Sequence, residues 1–204
     1  MIVRYHEMSA LMGVGKPGRP ITLDDHHKAA WALYTGTGKM EIPRGVDRPF
    51  TFRADALPGR PGMHIITVRS PFAFAGAKEL SIDLAEGTRL DVEFVYSPFT
   101  RSKSAEGKSI RITPPSKEWD ENARQRLAFA GMATESLRVT PLPRAKVKTK
   151  NGSPTTLVNV TAQAIVTDPI EAADKWMRGI SPMRAYGMGQ LILLPESASL
   201  AKAG

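Results

Sequence analysis

Two adjacent histidines, His26 and His27, are the side chains of this chain best suited to moving protons. The ordinary pKa of an imidazole lies close to neutrality, so the ring can give or take a proton under physiological conditions. Both lie in residues 22–34, which we predict to be a helix because Leu23, His27 and Ala30 recur at helical spacing. His26 lies beside that stripe. A half-buried histidine with a purely structural role fits the same pattern, so both interpretations stay open.

The same pair is a poor metal site. Adjacent helical side chains diverge by about 100°, whereas paired ligands need a spacing of three or four. The chain has no cysteine, which excludes zinc–thiolate sites, cysteine nucleophiles and disulfides. Beyond Asp24 and Asp25 it also lacks a close carboxylate cluster. We therefore expect no metal and no cofactor.

Four cations at alternate positions within residues 144–150 form the sharpest charge pattern of the sequence. A strand would place all four on one face, where like charges repel unless a polyanion covers them. A solvated hairpin edge kept soluble by its lysines explains the row equally well. Asn151-Gly152 directly follows and predicts a hairpin turn. The four cations are Arg144, Lys146, Lys148 and Lys150.

A glycine-punctuated loop near the end of the chain is a candidate anion site. Gly187 and Gly189 are two residues apart, so backbone amides there could approach a bulky anion, and Arg184 adds charge beside Tyr186. A tight helix-to-strand turn that needs positive φ predicts the same residues.

A third basic stretch, residues 101–111, reads as an exposed flexible loop that could add to the grip on a polyanion. Its cations are Arg101, Lys103, Lys108 and Arg111.

Composition favours a nucleic-acid partner. Over 204 residues, 28 Lys+Arg against 20 Asp+Glu give a net charge of +8, with a pI near 9.9, and such an excess favours binding to polyanions. A merely basic surface is the alternative. The sequence has no apolar run long enough to cross a membrane and no secretory pattern at its start, so we expect a cytoplasmic protein.

The elements that must position these groups fall into two similar halves. Thr22 and Asp168 are the expected N-caps of the first and last helices, and Ser116 that of a middle helix over residues 117–130. The second half reads strand, helix, strand, hairpin, strand, helix, strand. We therefore predict an α+β protein of two tandem ferredoxin-like (RRM-like) domains, antiparallel sheets backed by helices, over residues 1–96 and 97–204.

The chain resembles the E-type CRISPR repeat-cleaving endoribonucleases (CasE) of the Cascade surveillance complex. The resemblance spans some 165 residues and consists of five segments in the family's order. The first is a histidine four residues before a tryptophan, at His27 and Trp31. The second is an Arg-x-Phe-x-Phe-Arg strand that ends at Arg53, which the resemblance makes a candidate RNA contact. The others are residues 97–101, Trp119 to Gly131, and a C-terminal signature within residues 160–191.

The resemblance implies metal-independent cleavage of a CRISPR repeat hairpin, in which a ribose 2′-hydroxyl attacks the adjacent phosphorus. It implies His27 as the general acid or base, Lys28 as an electrostatic helper and His26 as a reserve. The family's tyrosine three residues before this histidine is Asp24 here. The implied partners are repeat RNA and the subunits of an effector complex. A nuclease-dead RNA-binding subunit of the same fold and a general basic RNA-binding protein are the alternatives.

Overall fold

The computed structural model describes residues 1–16, 18–39, 48–103, 109–147, 154–181 and 183–195. Its first half is a four-stranded antiparallel sheet covered by one helix, with strand order β2-β3-β1-β4. In chain order the elements are β1 (Ile2–Gly13), α1 (Leu23–Thr35), β2 (Thr51–Ala56), β3 (Met63–Ser70) and β4 (Lys78–Asp83).

The second half is another four-stranded antiparallel sheet, with order β10-β5-β9-β8, and a separate two-stranded hairpin of β6 and β7. Helices α2 and α3 each connect two strands of this sheet. The elements are β5 (Arg89–Tyr96), β6 (Thr100–Lys103), β7 (Ser109–Ile112), α2 (Trp119–Ala128), β8 (Met132–Ala145), β9 (Thr155–Val166), α3 (Pro169–Arg178) and β10 (Ile192–Leu193).

Both sheets have the ferredoxin-like arrangement, in which the fourth strand pairs with the first and the third lies between first and second. The predicted fold class is therefore confirmed. In the first half, residues 71–77 connect β3 directly to β4 without the second helix of that arrangement.

The expected joint at Ser97-Pro98 does not separate the two sheets. Strand β5 pairs with β9 from Arg89↔Ile165 to Tyr96↔Val158, so it belongs to the second sheet. The boundary between the sheets lies between Asp83 and Arg89. Alternation of apolar residues marks β5 as a strand but carries no information about its partner, which lies some 65 residues further along the chain.

Local capping residues determine where the first and last helices begin. Thr22 and Asp25 form a capping box at the start of α1, and the Thr22 amide donates to Asp25 Oδ2 at 2.9 Å. Asp168 Oδ1 accepts from the amides of Ile170 and Glu171 at 3.0 and 3.1 Å. Both predicted caps are confirmed. Ser116 instead opens a short 3₁₀ turn, and α2 follows from Trp119 without a side-chain cap.

A buried arginine joins the two halves. Arg69 on β3 has a side-chain exposure of 2% and pairs with Glu7 on β1 at 2.7 Å. It also donates to the carbonyl of Leu191 at 2.8 Å, and its Cζ lies 4.1 Å from the ring centroid of Trp176 on α3. This cation therefore satisfies groups of both halves at their contact. In the part of the chain described, no helix is long and apolar enough to cross a membrane.

Candidate active site

The first turn of helix α1 is hydrogen-bonded to the second half of the molecule. The Leu23 amide donates to the Lys146 carbonyl at 2.9 Å, and the Asp24 amide donates to the Val147 carbonyl at 3.0 Å. These carbonyls satisfy amides that the first turn of a helix leaves without intrahelical partners. Leu23 is buried beside Met183. The helix that carries the histidines is thereby held between the basic row and the glycine loop.

Aromatic rings surround His27. Its ring lies nearly parallel to that of Phe52 on β2, with centroids 5.9 Å apart and 6° between the planes. Tyr186 meets it edge-on at 6.3 Å. Trp31, one turn further along α1, donates from indole Nε1 to His27 Nε2 at 3.0 Å. In a neutral ring this bond leaves the proton on Nδ1.

The surroundings of His27 favour its neutral form. Burial, and then the charge of Arg48, lower the pKa of His27 to about 4. Asp24 acts in the opposite direction, and Lys28 in the same direction as Arg48. At neutral pH the imidazole is therefore uncharged and can accept a proton.

His27 lines a cleft of about 790 Å³ that is rich in cations and has no acidic lining residue among those described. Arg48, Arg178 and Arg184 line it together with Phe72. Arg178 is partly neutralised, since its Nε lies 2.9 Å from Asp174 Oδ1. Positive charge with little compensation favours an anion in this cleft.

Arg48 is held rigidly beside His27. Its guanidinium donates to the Arg184 carbonyl, and its Cζ lies 5.6 Å from the ring centroids of both Phe50 and Phe52. Burial, and then the nearby charge of Arg184, lower the pKa of Arg48 to about 10, so it stays charged at neutral pH. The half-buried Arg48 and the exposed Arg184 repel each other, and an anion between them would relieve that repulsion.

Sequence reasoning missed Arg48 and Arg178 as cleft residues. Arg48 stands directly before Pro49 and three residues ahead of β2. A cation just before a predicted strand was the only available signal that Arg48 belongs to the cleft. Arg178 is the last residue of α3, and only the packing of the two halves brings it to His27.

The other two predicted catalytic residues have different surroundings. Lys28 Nζ lies 3.0 Å from Asp24 Oδ2, one turn back on α1, which offsets its charge. His26 does not line the His27 cleft. Its ring lies against that of His64 on β3, with centroids 4.6 Å apart. Burial, and then the charge of His64, lower the pKa of His26 to about 4.

The predicted amide cradle in the glycine loop is wrong. Gly187 donates its amide to the Arg184 carbonyl and Gly189 to that of Val95, at 3.2 and 2.7 Å, so neither is available to an anion. Both have positive φ, as the turn interpretation requires. A Cβ on Gly187 would lie 2.8 Å from Phe52, and one on Gly189 would lie 2.4 Å from the Ser181 nitrogen. The glycines permit close packing, while Tyr186 and Arg184 reach the site.

Arg53 has a structural environment rather than the expected RNA-facing one. Its side chain is 12% exposed, and it forms ion pairs with Asp55 at 2.7 Å and with Glu93 on β5. Two carboxylates offset its charge, which leaves little attraction for a phosphate. The strand pattern places Arg53 correctly on β2, but Glu93 lies 40 residues away in sequence.

The basic row is described only at its start. Arg144 and Lys146 are exposed, but β8 ends at Ala145, so regular strand alternation stops inside the row. Backbone hydrogen bonds to α1 replace it at Lys146 and Val147. Lys148 and Lys150 lie outside the described residues, as do Lys108, the Asn151-Gly152 turn and the side chains of Arg101, Lys103 and Arg111.

Comparison of the sequence with protein-family models and with curated proteins gives no match. Comparison of the structure gives CRISPR endoribonucleases. Thermus thermophilus Cse3, bound to an RNA representing a pre-cleavage complex, matches with a TM-score of 0.65 and 17% identity over 95% of this chain and 100% of that one. Cas6e from Escherichia coli K-12 matches with a TM-score of 0.64 and 16% identity over 95% and 100%.

A chain from the structure of a CRISPR RNA-guided surveillance complex matches with a TM-score of 0.57 and 19% identity, over 94% of this chain and 98% of that one. The structural neighbours are thus Cse3/Cas6e endoribonucleases over nearly the whole length, which agrees with the family that the sequence resembles. At these identities the likeness establishes the fold.

Proposed function

We propose that this chain is an endoribonuclease that cleaves CRISPR precursor RNA within its repeat hairpins to release guide RNAs. The observation that carries the proposal is the cleft in which a neutral, aromatic-packed His27 lies with Arg48 and Arg184. A proton acceptor beside paired cations suits phosphoryl transfer, in which a hydroxyl must lose its proton while negative charge grows on phosphate oxygens. The shared fold with RNA-bound Cse3 supports RNA as the substrate.

The proposed reaction is an internal transesterification. The ribose 2′-oxygen forms a bond to the adjacent phosphorus while the bond from phosphorus to the 5′-oxygen breaks. The products are a 2′,3′-cyclic phosphate and a 5′-hydroxyl. Atoms and charge balance with one proton leaving the 2′-hydroxyl and one reaching the 5′-oxygen, so the step neither consumes nor releases water.

His27 performs both proton transfers in turn. The neutral ring takes the 2′-hydroxyl proton at Nε2, which displaces the indole N–H of Trp31, and becomes an imidazolium close to Arg48. The charge of Arg48 lowers the pKa of His27, so the imidazolium readily gives its proton to the departing 5′-oxygen. Arg48 and Arg184 meanwhile stabilise the charge on the non-bridging oxygens, a role that a rigid fork of donors suits.

The stem of the hairpin would lie along the cationic segment that begins at Arg144 and Lys146. A double-stranded RNA hides its base edges in a deep groove and offers regularly spaced phosphates, so exposed cations position it without reading sequence. The carbonyls of Lys146 and Val147 accept the first amides of α1, so a stem held there lies beside the helix turn that leads to His27. The other predicted RNA contacts, Arg101, Lys103, Lys108, Arg111, Lys148 and Lys150, remain part of this proposal.

We further propose that the protein acts in the cytoplasm of a prokaryote and keeps its product within an effector complex. The support is the match to a chain of a CRISPR RNA-guided surveillance complex. A catalytically inactive hairpin-binding subunit of the same fold is the second candidate, since Asp24 stands where the resembled family has a tyrosine.

The decisive experiment is cleavage of a cognate repeat hairpin in the presence of a chelator, with analysis of the product ends. We expect a cyclic phosphate, loss of cleavage in His27→Ala, and loss when the attacking nucleotide is 2′-deoxy. His26→Asn is the matched control and should cleave normally, because its ring faces His64 outside the cleft. Cleavage by His27→Ala at the wild-type rate would defeat the assignment. Tight binding without cleavage would favour the inactive subunit, and equal binding of scrambled RNA a general RNA-binding protein.

A further inference from the structure

A second, smaller cleft of about 230 Å³ shares Arg184 with the His27 cleft. It is lined by Arg126 and Phe129 at the end of α2 and by Lys175 and residues 179–181 at the end of α3. Because Arg184 lines both clefts, a linear polymer bound in the His27 cleft can continue into this one.

Phe129 is the most exposed large apolar residue among those described, at 79%. It follows the last residue of α2 and takes no part in the buried clusters of the described residues. An exposed ring beside cations on a basic protein suits stacking of an unpaired nucleic-acid base, because every base presents a π-face.

Two arginines flank this ring without a carboxylate partner among the described residues. Arg126 is held in place, since its Cζ lies 4.8 Å from the ring centroid of Tyr96 and its Nε donates to Asn122 Oδ1 at 3.1 Å. Arg184 is exposed. Lys175, by contrast, lies 3.1 Å from Glu171 and 2.8 Å from Asp174, so its charge is offset.

We propose that this cleft binds one unpaired nucleotide that flanks the RNA stem, with its base stacked on Phe129 and its backbone phosphate held between Arg126 and Arg184. A base within a stem is paired and stacked on its neighbours, so only an unpaired one can offer its face to Phe129. This inference rests on the proposed function, because it takes the same RNA to run from the His27 cleft past Arg184.

The test is the affinity for repeat hairpins made non-cleavable by a 2′-deoxy nucleotide at the attacking position. Three RNAs are compared by fluorescence anisotropy: the bare hairpin, the hairpin with unpaired nucleotides on its 5′ side, and the hairpin with unpaired nucleotides on its 3′ side. We expect Phe129→Ala to weaken binding of one flanked RNA by roughly 5- to 150-fold. Binding of the bare hairpin and the cleavage rate at saturating RNA should not change.

Two further variants separate stacking from general surface effects. Phe129→Trp should retain the affinity, whereas Phe129→Leu, which keeps apolar bulk, should lose it. Ile170→Ala is the matched control, because Ile170 is 75% exposed yet lines neither cleft. Equal affinity of wild type and Phe129→Ala for all three RNAs would overturn the inference, as would a loss of affinity in the bare hairpin of the same size.

Failure of this inference is distinguishable from failure of the proposed function. If the wild type cleaves the hairpin through His27 but Phe129→Ala binds flanked RNA normally, only the second cleft is misassigned. If the wild type neither prefers nor cleaves the hairpin, the proposed function fails and takes this inference with it.

Discussion

The indole Nε1 of Trp31 donates a hydrogen bond to Nε2 of His27 at 3.0 Å. The two residues are one helical turn apart on α1, and Trp31 is buried. Since Nε2 accepts this bond, the imidazole is stabilised as the neutral form that carries its proton on Nδ1. Uptake of a second proton at Nε2 must displace the indole N–H, so the bond opposes protonation in addition to burial and Arg48.

Trp31→Phe should therefore raise the pKa of His27. Cleavage in our proposal needs the neutral ring, so the rate falls as the pH drops through that pKa, and the fall should begin at a higher pH in the variant. One hydrogen bond of about 1 kcal/mol corresponds to a shift of roughly 0.7 pH units. The measurement is the single-turnover rate between pH 4 and 8. Trp119→Phe, which loses an indole bond to the Pro114 carbonyl, is the control and should leave the profile in place.

Arg48→Ala should slow the chemical step more than it weakens RNA binding. A half-buried cation that meets charge only as that charge develops in the transition state contributes roughly 10²- to 10³-fold in kcat. The measurement is the single-turnover rate at saturating RNA together with the Kd. Arg4→Ala serves as the control, because Arg4 is an exposed cation on β1 that does not line the His27 cleft. An unchanged rate in Arg48→Ala would remove this arginine from the mechanism.

Lys146→Ala should reduce the salt dependence of RNA binding. Each phosphate that a lysine neutralises releases counterions, so the slope of log Kd against log salt should fall by about 1. The expected result holds for stems of any sequence, because phosphate contacts do not discriminate bases. Arg124→Ala on α2 removes the same charge from an exposed helix position and should leave the slope unchanged. Equal slopes in wild type and Lys146→Ala would leave the basic row as a solvated edge.

The His26 and His64 pair should make the fold sensitive to acid. Burial lowers the pKa of both rings, that of His26 to about 4, so the unfolded chain binds more protons than the folded one below the ordinary value of 6.5. Stability is therefore complete above pH 6.5 and is lost as the pH falls towards 4, by up to about 3 kcal/mol for His26. The measurement is the free energy of unfolding in urea at pH 7, 6 and 5.

His26→Gln should flatten that pH dependence, because the variant lacks the ring whose protonation burial and His64 oppose. His27 has its own lowered pKa, so some acid sensitivity should remain in the His26 variant. A pH dependence of the same slope in wild type and His26→Gln would contradict this account.

Arg69→Met should destabilise the protein by about 3–5 kcal/mol, because removal of one partner of a buried ion pair leaves Glu7 and two backbone carbonyls without their donor. Urea unfolding measures the loss. The double variant with Glu7→Gln should recover part of it, since the uncompensated carboxylate is then absent. No recovery would indicate that packing on Tyr5 and Trp176 dominates instead of charge.

Features that depend on neighbouring residues are the ones that sequence reasoning predicts well here. The capping box of Thr22 and the N-cap of Asp168 act within three residues, and the position of His27 on α1 follows from the periodicity of that helix. In these cases the physical cause is contained in the segment itself.

The errors arise where a distant residue decides the outcome. Glu93, on a strand of the other sheet, forms an ion pair with Arg53. The carbonyl of Val95 accepts a hydrogen bond from the Gly189 amide, which was expected to face an anion. His64 on β3 gives His26 its structural environment. Arg48, the cation beside His27, was missed because its neighbours in the cleft come from α3 and the glycine loop.

The two bonds from the Leu23 and Asp24 amides to the Lys146 and Val147 carbonyls cross from one half of the molecule to the other. They act as a clasp between the helix that carries the imidazole and the segment proposed to hold the stem. If a ligand immobilises that segment, hydrogen–deuterium exchange at these two amides should slow as well, although neither touches RNA in our proposal. Binding of a stem to that segment would thus reduce the motion of the first turn of α1. The backbone that carries His27 would become more rigid before any bond of the RNA is broken.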